Sequence, residues 1–404
     1  MSHGIVIQES PTIPAQDQRV EIVERKGKGH PDTICDAVAE RISTHLSRAY
    51  SKTFGRVLHH NIDKGLLVAG QVDCRLGGGD VLEPMRLIIG DRATEKFRGK
   101  SVPVAQIAVA AARDWFKQNL PHADPDRHIH YQVELKATSS ELGAIFERRH
   151  GLLVANDTSA GVGYAPFTPT ERLVIDVEHF LNGPLFKGEF PETGEDVKVM
   201  ALRFAHDLTL TVAMPFLAGA IHSEAAYFRL KARVLRALQT YVQGRWHGRK
   251  PVRVSLNALD RRGKGLNGMY LSLLGTSAEQ GDSGQIGRGN RVCGVIPINR
   301  PMSGEAAAGK NAISHVGKIY NVLAHELASR IHCQVHGVRE VTVWLCSTIG
   351  QRIDRPSMAV AQVSLLRGIT HRQVQQAIEG IIREGLESIG PFCDALARGK
   401  YSIY

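Results

Sequence analysis

Four segments carry residue types whose spacing suits chemistry on a charged ligand. In Glu24-Arg-Lys-Gly-Lys-Gly-His30-Pro31-Asp32-Thr-Ile-Cys-Asp36, two lysines (Lys26 and Lys28) and a histidine crowd a glycine-bearing loop that runs into a helix start. A helix amino terminus attracts anions through its dipole and unpaired amides. Asp32 and Asp36 add hard oxygen ligands of the kind Mg²⁺ prefers. Cation, imidazole and carboxylate side by side suit a metal–polyphosphate complex, against the plainer reading of a solvated loop before a capped helix. The second segment, Asn156-Asp-Thr-Ser-Ala-Gly-Val-Gly-Tyr-Ala-Pro166, has small residues that permit close backbone approach, and Asp157 can accept bonds from an amino group or a ribose hydroxyl. Read alone, it is a turn-rich loop.

The third segment, Gly281-Asp-Ser-Gly-Gln-Ile-Gly287-Arg-Gly-Asn-Arg291, lets backbone amides converge on an anion, while Arg288 and Arg291 bring charge and bidentate geometry. It is neither a Walker loop nor a dinucleotide fingerprint. The fourth runs from Glu305 through Gly309, Lys310 and His315 to Lys318 and Tyr320; its roughly helical spacing predicts that some of these cations share a face. There is no G-x-S-x-G elbow, no H-E-x-x-H and no readable pair of catalytic carboxylates. Many cations, a metal carboxylate and no evident nucleophile fit a reaction with a polyanionic leaving group, in which the protein positions reactants and stabilises charge.

The elements that position these segments alternate irregularly. Apolar spacing predicts helices over 32–50, 102–120, 171–181, 223–242, 314–331 and 371–386, with Asp32 capping the first. Strands are expected over 57–74, 128–135, 197–214, 252–257, 269–274, 340–346 and 358–366, and residues 1–19 read as an irregular lead-in. This mixture, without regular βαβ alternation, predicts an α+β fold.

The 404 residues suggest two or three domains. The expected division is 1–150 with the first loop, 151–275, and 276–404 with the glycine-rich phosphate loop, with soft boundaries and room for the domains to interleave. Hydrophobic residues at 43% and charged residues at 22% exclude a disordered or collagenous chain. No apolar run approaches the ~20 residues of a membrane span, and the first residues lack a signal-peptide pattern. Six cysteines, none in a C-x-x-C pair, read as reduced thiols of a cytoplasmic protein. The net charge of +10 allows an anionic partner. Aromatics are only 6% and do not interleave with Lys or Arg, which argues against single-stranded nucleic acid.

GHPDTICD, NDTSAGVGYAP, GDSGQIGRGNRV and RPMSGEAAAGKNAISHVGKIYN resemble, in order and spacing, the signature blocks of the archaeal-type S-adenosylmethionine synthetases (methionine adenosyltransferases). The resemblance runs from about residue 20 to the end of the chain, and includes GGGDVLEP at 77–84 and GEDVKVMALR at 194–203. It implies attack of the methionine sulfur on the ribose 5′ carbon of ATP, then hydrolysis of the expelled triphosphate to phosphate and pyrophosphate. It further implies His30, Lys198, Arg288 and Lys310 as catalytic residues, His30 at the leaving oxygen and the other three on the phosphates. Asp32 would hold Mg²⁺, with K⁺ as a monovalent companion. Lys28, Asp157, Asp282, Gly284, Gly287, Arg291, His315 and Lys318 would contact ATP or methionine. Three-domain subunits would form a homodimer, or a dimer of dimers, with the active site at the subunit interface.

The chain departs from the family pattern in places. It reads Lys136-Ala-Thr-Ser-Ser-Glu141 where a G-x-G-S turn is usual, Ala160 where phenylalanine is usual, and Gly304 and Ala312 within the fourth block. At the position of a second metal-binding aspartate in bacterial relatives it has His315-Val-Gly317-Lys318, which leaves Glu305 as the candidate second ligand. Ala160 predicts a wider space around the methionine sulfur substituent. Two other readings stay open at this point. One is a diverged relative that takes another thioether or only cleaves triphosphate. The other is a non-catalytic basic module that binds nucleic acid.

Overall fold

The computed structural model describes residues 4–138 and 154–404. Among these residues the helices are α1 (Pro31–Phe54), α2 (Val104–Asn119), α3 (Pro169–Leu181), α4 (Pro184–Glu189), α5 (Glu224–Arg245), α6 (Val316–Gln334), α7 (His371–Glu387) and α8 (Ile389–Ala397). They pack on three larger sheets, giving the expected mixture of strands and helices.

The first sheet runs Ile5–Glu9, Met358–Leu365, Val338–Cys346, Ala160–Ala165, and α6 and α7 cover it. The second runs Arg253–Leu256, Asp207–Ala213, Lys198–Phe204, Val20–Lys26, Ile296–Pro297, against α3 and α5. The third runs Gly284–Gln285, His60–Val68, Met85–Ala93, Ile129–Lys136, against α1 and α2. Each sheet joins strands that are distant in sequence. Ile5 pairs with Ala359, Lys26 with Lys198, and Gly284 with Leu67. One apolar core serves the first and third sheets, and a second core fills the space between the second sheet and α3 to α5.

Three local expectations change. The lead-in contains the edge strand Ile5–Glu9, whose partner lies at the other end of the chain and so leaves no local signal. Part of the expected loop at 156–166 is the strand Ala160–Ala165. Its glycines serve packing: a Cβ at Gly161 would lie 2.3 Å from the carbonyl carbon of Tyr320, and one at Gly163 2.1 Å from the amide of His325, so only glycine lets α6 lie on this strand. The cap of α1 is His30, because Pro31 already occupies the first helical turn. Ser139 to Glu141 of the departing stretch, and the boundary drawn at 150, lie outside the described residues.

A buried arginine ties two of the sheets together. Arg300 donates from Nε to Glu171 at 3.0 Å, from one terminal nitrogen to Glu340 at 2.6 Å and from the other to the Pro166 carbonyl at 2.9 Å. Glu171 closes a capping box with Thr168 at the start of α3, and Glu340 lies on a strand of the first sheet. The guanidinium also sits 4.2 Å from the centroid of the Tyr164 ring.

Candidate active site

His30 stands in extended conformation before α1, and its Nδ1 accepts the Asp32 amide at 3.2 Å. A neutral imidazole that accepts at one nitrogen carries its proton on the other, so Nε2–H is the available donor. Burial, helped by the charges of Lys26 and Lys198 and opposed by Asp32, lowers the His30 pKa to about 4. The ring is therefore uncharged at neutral pH.

Asp32, Asp36 and Glu40 recur every four residues along α1, all of them buried. Each accepts a backbone N–H from the last third of the chain. Asp32 Oδ1 accepts from Gln285 at 2.9 Å, Asp36 Oδ1 from Gly287 at 2.7 Å, and Glu40 Oε2 from Gly309 at 3.0 Å. Burial alone would raise the Asp32 pKa, but the hydrogen bonds from Lys26 and Gln285 and the Lys26 charge hold it below the usual value. For Asp36 burial wins and the pKa rises to about 7; its second oxygen is buried with no hydrogen-bond partner. Gly284 makes the approach possible, since a Cβ there would sit 2.1 Å from the Pro31 carbonyl oxygen.

The cations arrange themselves around this face. Lys26 Nζ lies 2.9 Å from Asp32 Oδ2 and 2.8 Å from the Arg288 carbonyl, and Lys198 Nζ is 3.1 Å from Glu24. Arg291 donates to the carbonyls of Gly287 at 2.6 Å and Gly289 at 2.8 Å, so it braces the glycine-rich loop from within. Arg288 and Asp282 are exposed, and Lys28 is half-buried. Asp196 is buried under Ser277, and burial raises its pKa to about 6 with a further push from Asp282.

A second group lies before α6. Lys310 is buried against Glu305, with Asp63 Oδ2 at 3.4 Å, and Glu305 Oε1 accepts Ser159 Oγ at 2.9 Å. His315 caps α6 as His30 caps α1: its Nδ1 accepts the Gly317 amide at 3.3 Å, and burial with the Lys310 charge lowers its pKa to about 3. The expected shared face does not form, because Lys310 precedes the helix, His315 is its cap, and Lys318 is fully buried with Nζ 2.6 Å from Glu40. Asp157 is half-buried, and its carbonyl accepts Ser347 Oγ at 2.9 Å. Ala160 is exposed, its carbonyl accepts Ser303 Oγ at 2.8 Å, and a Cβ at neighbouring Gly304 would meet nothing within 4 Å. The Lys318–Glu40 ion pair and the Gly309 amide on Glu40 join this group to the carboxylate face of α1, while among the described residues no ion pair reaches it from His30, Asp32 or Lys26. A cavity of about 30 Å³, bounded by Asp36, Gly287 and Asn290 and by Glu305 and Asn321, lies between them.

Sequence reasoning passed over Glu40, Asp63 and Asp196. The spacing of Asp32, Asp36 and Glu40 on an apolar-striped helix was a usable signal. Asp63 and Asp196 are single carboxylates on or beside strands and carried none.

Among the described residues no three His, Cys, Asp or Glu side chains cluster as a metal cage. The buried, unpartnered oxygen of Asp36 and the ammonium drawn to Asp32 mark a place that favours positive charge. One or two carboxylates there fit Mg²⁺, which takes its remaining ligands from water and phosphate. The whole arrangement offers a neutral N–H donor, several cations and a carboxylate face, with no activated nucleophile.

The sequence model of the family described as S-adenosylmethionine synthetase (AdoMet synthetase) matches residues 3–400. The S-adenosylmethionine synthase of Aeropyrum pernix is 43% identical over 412 residues, covering 100% of both chains. The probable S-adenosylmethionine synthase of Aquifex aeolicus is 40% identical over 403 residues, covering 99% of each. Among solved structures, an unusual S-adenosylmethionine synthetase from Campylobacter jejuni matches with TM-score 0.60 at 16% identity, over 95% of each chain, a likeness of fold.

Proposed function

The chain belongs to the S-adenosylmethionine synthetase family, and on that premise we propose that the side chains at the start of α1 and before α6 form its catalytic centre. The enzyme is a methionine adenosyltransferase that makes S-adenosylmethionine from ATP and methionine. The sulfur lone pair forms the bond to the ribose 5′ carbon as the carbon–oxygen bond breaks, and that electron pair leaves with the triphosphate. A neutral thioether needs no base, which agrees with the lack of an acid–base pair. His30 donates its Nε2–H to the departing oxygen. Lys198, Arg288 and Lys310 take up the phosphate charge. Asp32 would hold a divalent cation, Mg²⁺ by the donor set, which when bound would offset phosphate charge. Glu305 is the candidate for a second metal contact, and K⁺ is assigned a supporting role. Lys28, Asp157, Asp282, Gly284, Gly287 and His315 face ATP or methionine, while Arg291 serves through the loop it braces and Lys318 through its ion pair with Glu40.

One observation carries this reading: the buried, neutral His30 presents a donor beside Lys26 and Lys198 at a helix start. Mass analysis after incubation with ATP, Mg²⁺ and methionine tests it. Sulfonium, phosphate and pyrophosphate are expected, and phosphate without sulfonium would overturn it.

Three further outcomes follow. Asp32→Asn removes an anionic ligand at nearly constant shape, so the Mg²⁺ concentration for half-maximal rate rises at least about tenfold; an unchanged titration would place the metal elsewhere. Lys310→Met and Arg288→Met lower tripolyphosphate hydrolysis at least as much as sulfonium formation, and undiminished phosphate release would remove both from the phosphate site. Ala160→Phe lowers kcat/KM for ethionine relative to methionine by about tenfold; an equal ratio in both proteins would put residue 160 outside the sulfur pocket.

We assign the three sheets to three domains that interleave along the chain. A homodimer, or a dimer of dimers, with the centre at the subunit interface is supported by exposed Leu66, Val68, Ile298 and Met302. The substrates are small molecules and no nucleic acid is required. A cytoplasmic location is supported by six free cysteines. Among the described residues no helix is long and apolar enough to cross a membrane.

A further inference from the structure

Between α1, α2 and the segment after α8 lies a cavity of about 360 Å³. Arg41, His45 and Arg48 line it from α1, Arg398 from the end of the chain, and Trp115 and Tyr404 add aromatic walls. Its size falls within the range of small-molecule sites.

The charges around it are unbalanced. Among the described residues no carboxylate, side-chain or terminal, forms an ion pair with Arg41, Arg48 or Arg398. Arg41 reaches Gln118 Oε1 at 3.2 Å, and Arg48 reaches the Arg398 carbonyl at 3.3 Å; both partners are neutral. Arg41 Nε is buried with no hydrogen-bond partner. Glu40, the carboxylate side chain in the lining, is already engaged by Lys318 at 2.6 Å and the Gly309 amide at 3.0 Å. At His45, Asp114 on α2 opposes burial and the Arg41 and Arg48 charges, which together hold the imidazole below its usual pKa. Three guanidiniums that repel one another around an open volume are a stable arrangement when an anion sits among them. Their planar forks match the oxygens of phosphate.

We propose that this cavity is a second ligand site, which takes a phosphate-bearing small molecule. It contains none of the residues assigned to catalysis, and its case does not depend on their roles. Ile403 lines both this cavity and the small one beside Asp36, so the two are neighbours across one side chain.

The test is calorimetric titration of the full chain with inorganic pyrophosphate and, separately, with AMP. The parent is expected to show two classes of pyrophosphate site. Arg41→Met/Arg48→Met weakens one class at least about tenfold, as expected for lost charge-assisted hydrogen bonds. Arg288→Met weakens the other class. If AMP binding falls with the class lost in Arg41→Met/Arg48→Met, the ligand is a nucleotide phosphate; if only pyrophosphate is lost, it is an inorganic one. Circular dichroism checks the fold, and Arg398→Met, an exposed change, reads the same loss if the double variant does not fold. Titrations that superimpose for parent and folded variant with both probes overturn the proposal.

Discussion

His30→Ala slows sulfonium formation by roughly 10²–10³, the effect of removing one well-placed donor from developing negative charge. Most of the ATP affinity remains, because the cations that meet the phosphates are untouched. The structure sharpens this expectation, since His30 does two things at once. Its Nδ1 caps α1 by accepting the Asp32 amide, and that bond fixes the proton on Nε2. Losing a cap costs about 0.5–2 kcal/mol, so alanine alone confuses a softened helix start with a lost donor. His30→Asn separates them. An asparagine oxygen restores the cap, so its stability returns toward the parent, while the slow step stays slow because the shorter amide cannot reach as far. Single-turnover rates and urea unfolding of both variants read the two effects independently. Turnover near the parent in either variant would remove His30 from the chemistry.

Arg300→Met destabilises the fold by about 3–5 kcal/mol, the usual loss when one partner of a buried ion pair disappears. The side chain is 2% exposed and serves Glu171 and Glu340 together. Methionine fills much of the volume, so packing loss is small and the deficit comes from two carboxylates left without their cation. Urea midpoints at pH 7.5 check the claim. A midpoint equal to the parent would show that the arginine does not hold the two sheets together.

The sequence was most legible where chemistry and local structure coincide. The α1 segment showed its apolar stripe, its proline and its charged approach within a few residues of one another. The glycine-rich loop was readable as a place of close backbone approach, and the structure gives the partner: the first turn of α1. Legibility failed where a residue's role depends on a distant neighbour. Glycines 161 and 163 looked like turn residues, yet they make room for α6. Lys318 and Arg291 looked like free cations, but one neutralises Glu40 and the other braces its own loop. Asp63 meets Lys310 only because a strand and a loop far apart in the chain are brought together.

The carboxylate face of α1 has a consequence for the time course of synthesis. Asp32, Asp36 and Glu40 are made early, while the amides that satisfy them belong to Gln285, Gly287 and Gly309. At about 5–20 residues per second, those partners follow roughly 12 to 55 seconds later. During that interval the three carboxylates have only water, so this side of the helix must stay hydrated on the ribosome. The strand Ile5–Glu9 waits longer still, for Met358–Leu365. A ribosome halted near codon 280 would therefore hold a chain that contains the GHPD loop complete, with α1 lacking the surface it is built to receive.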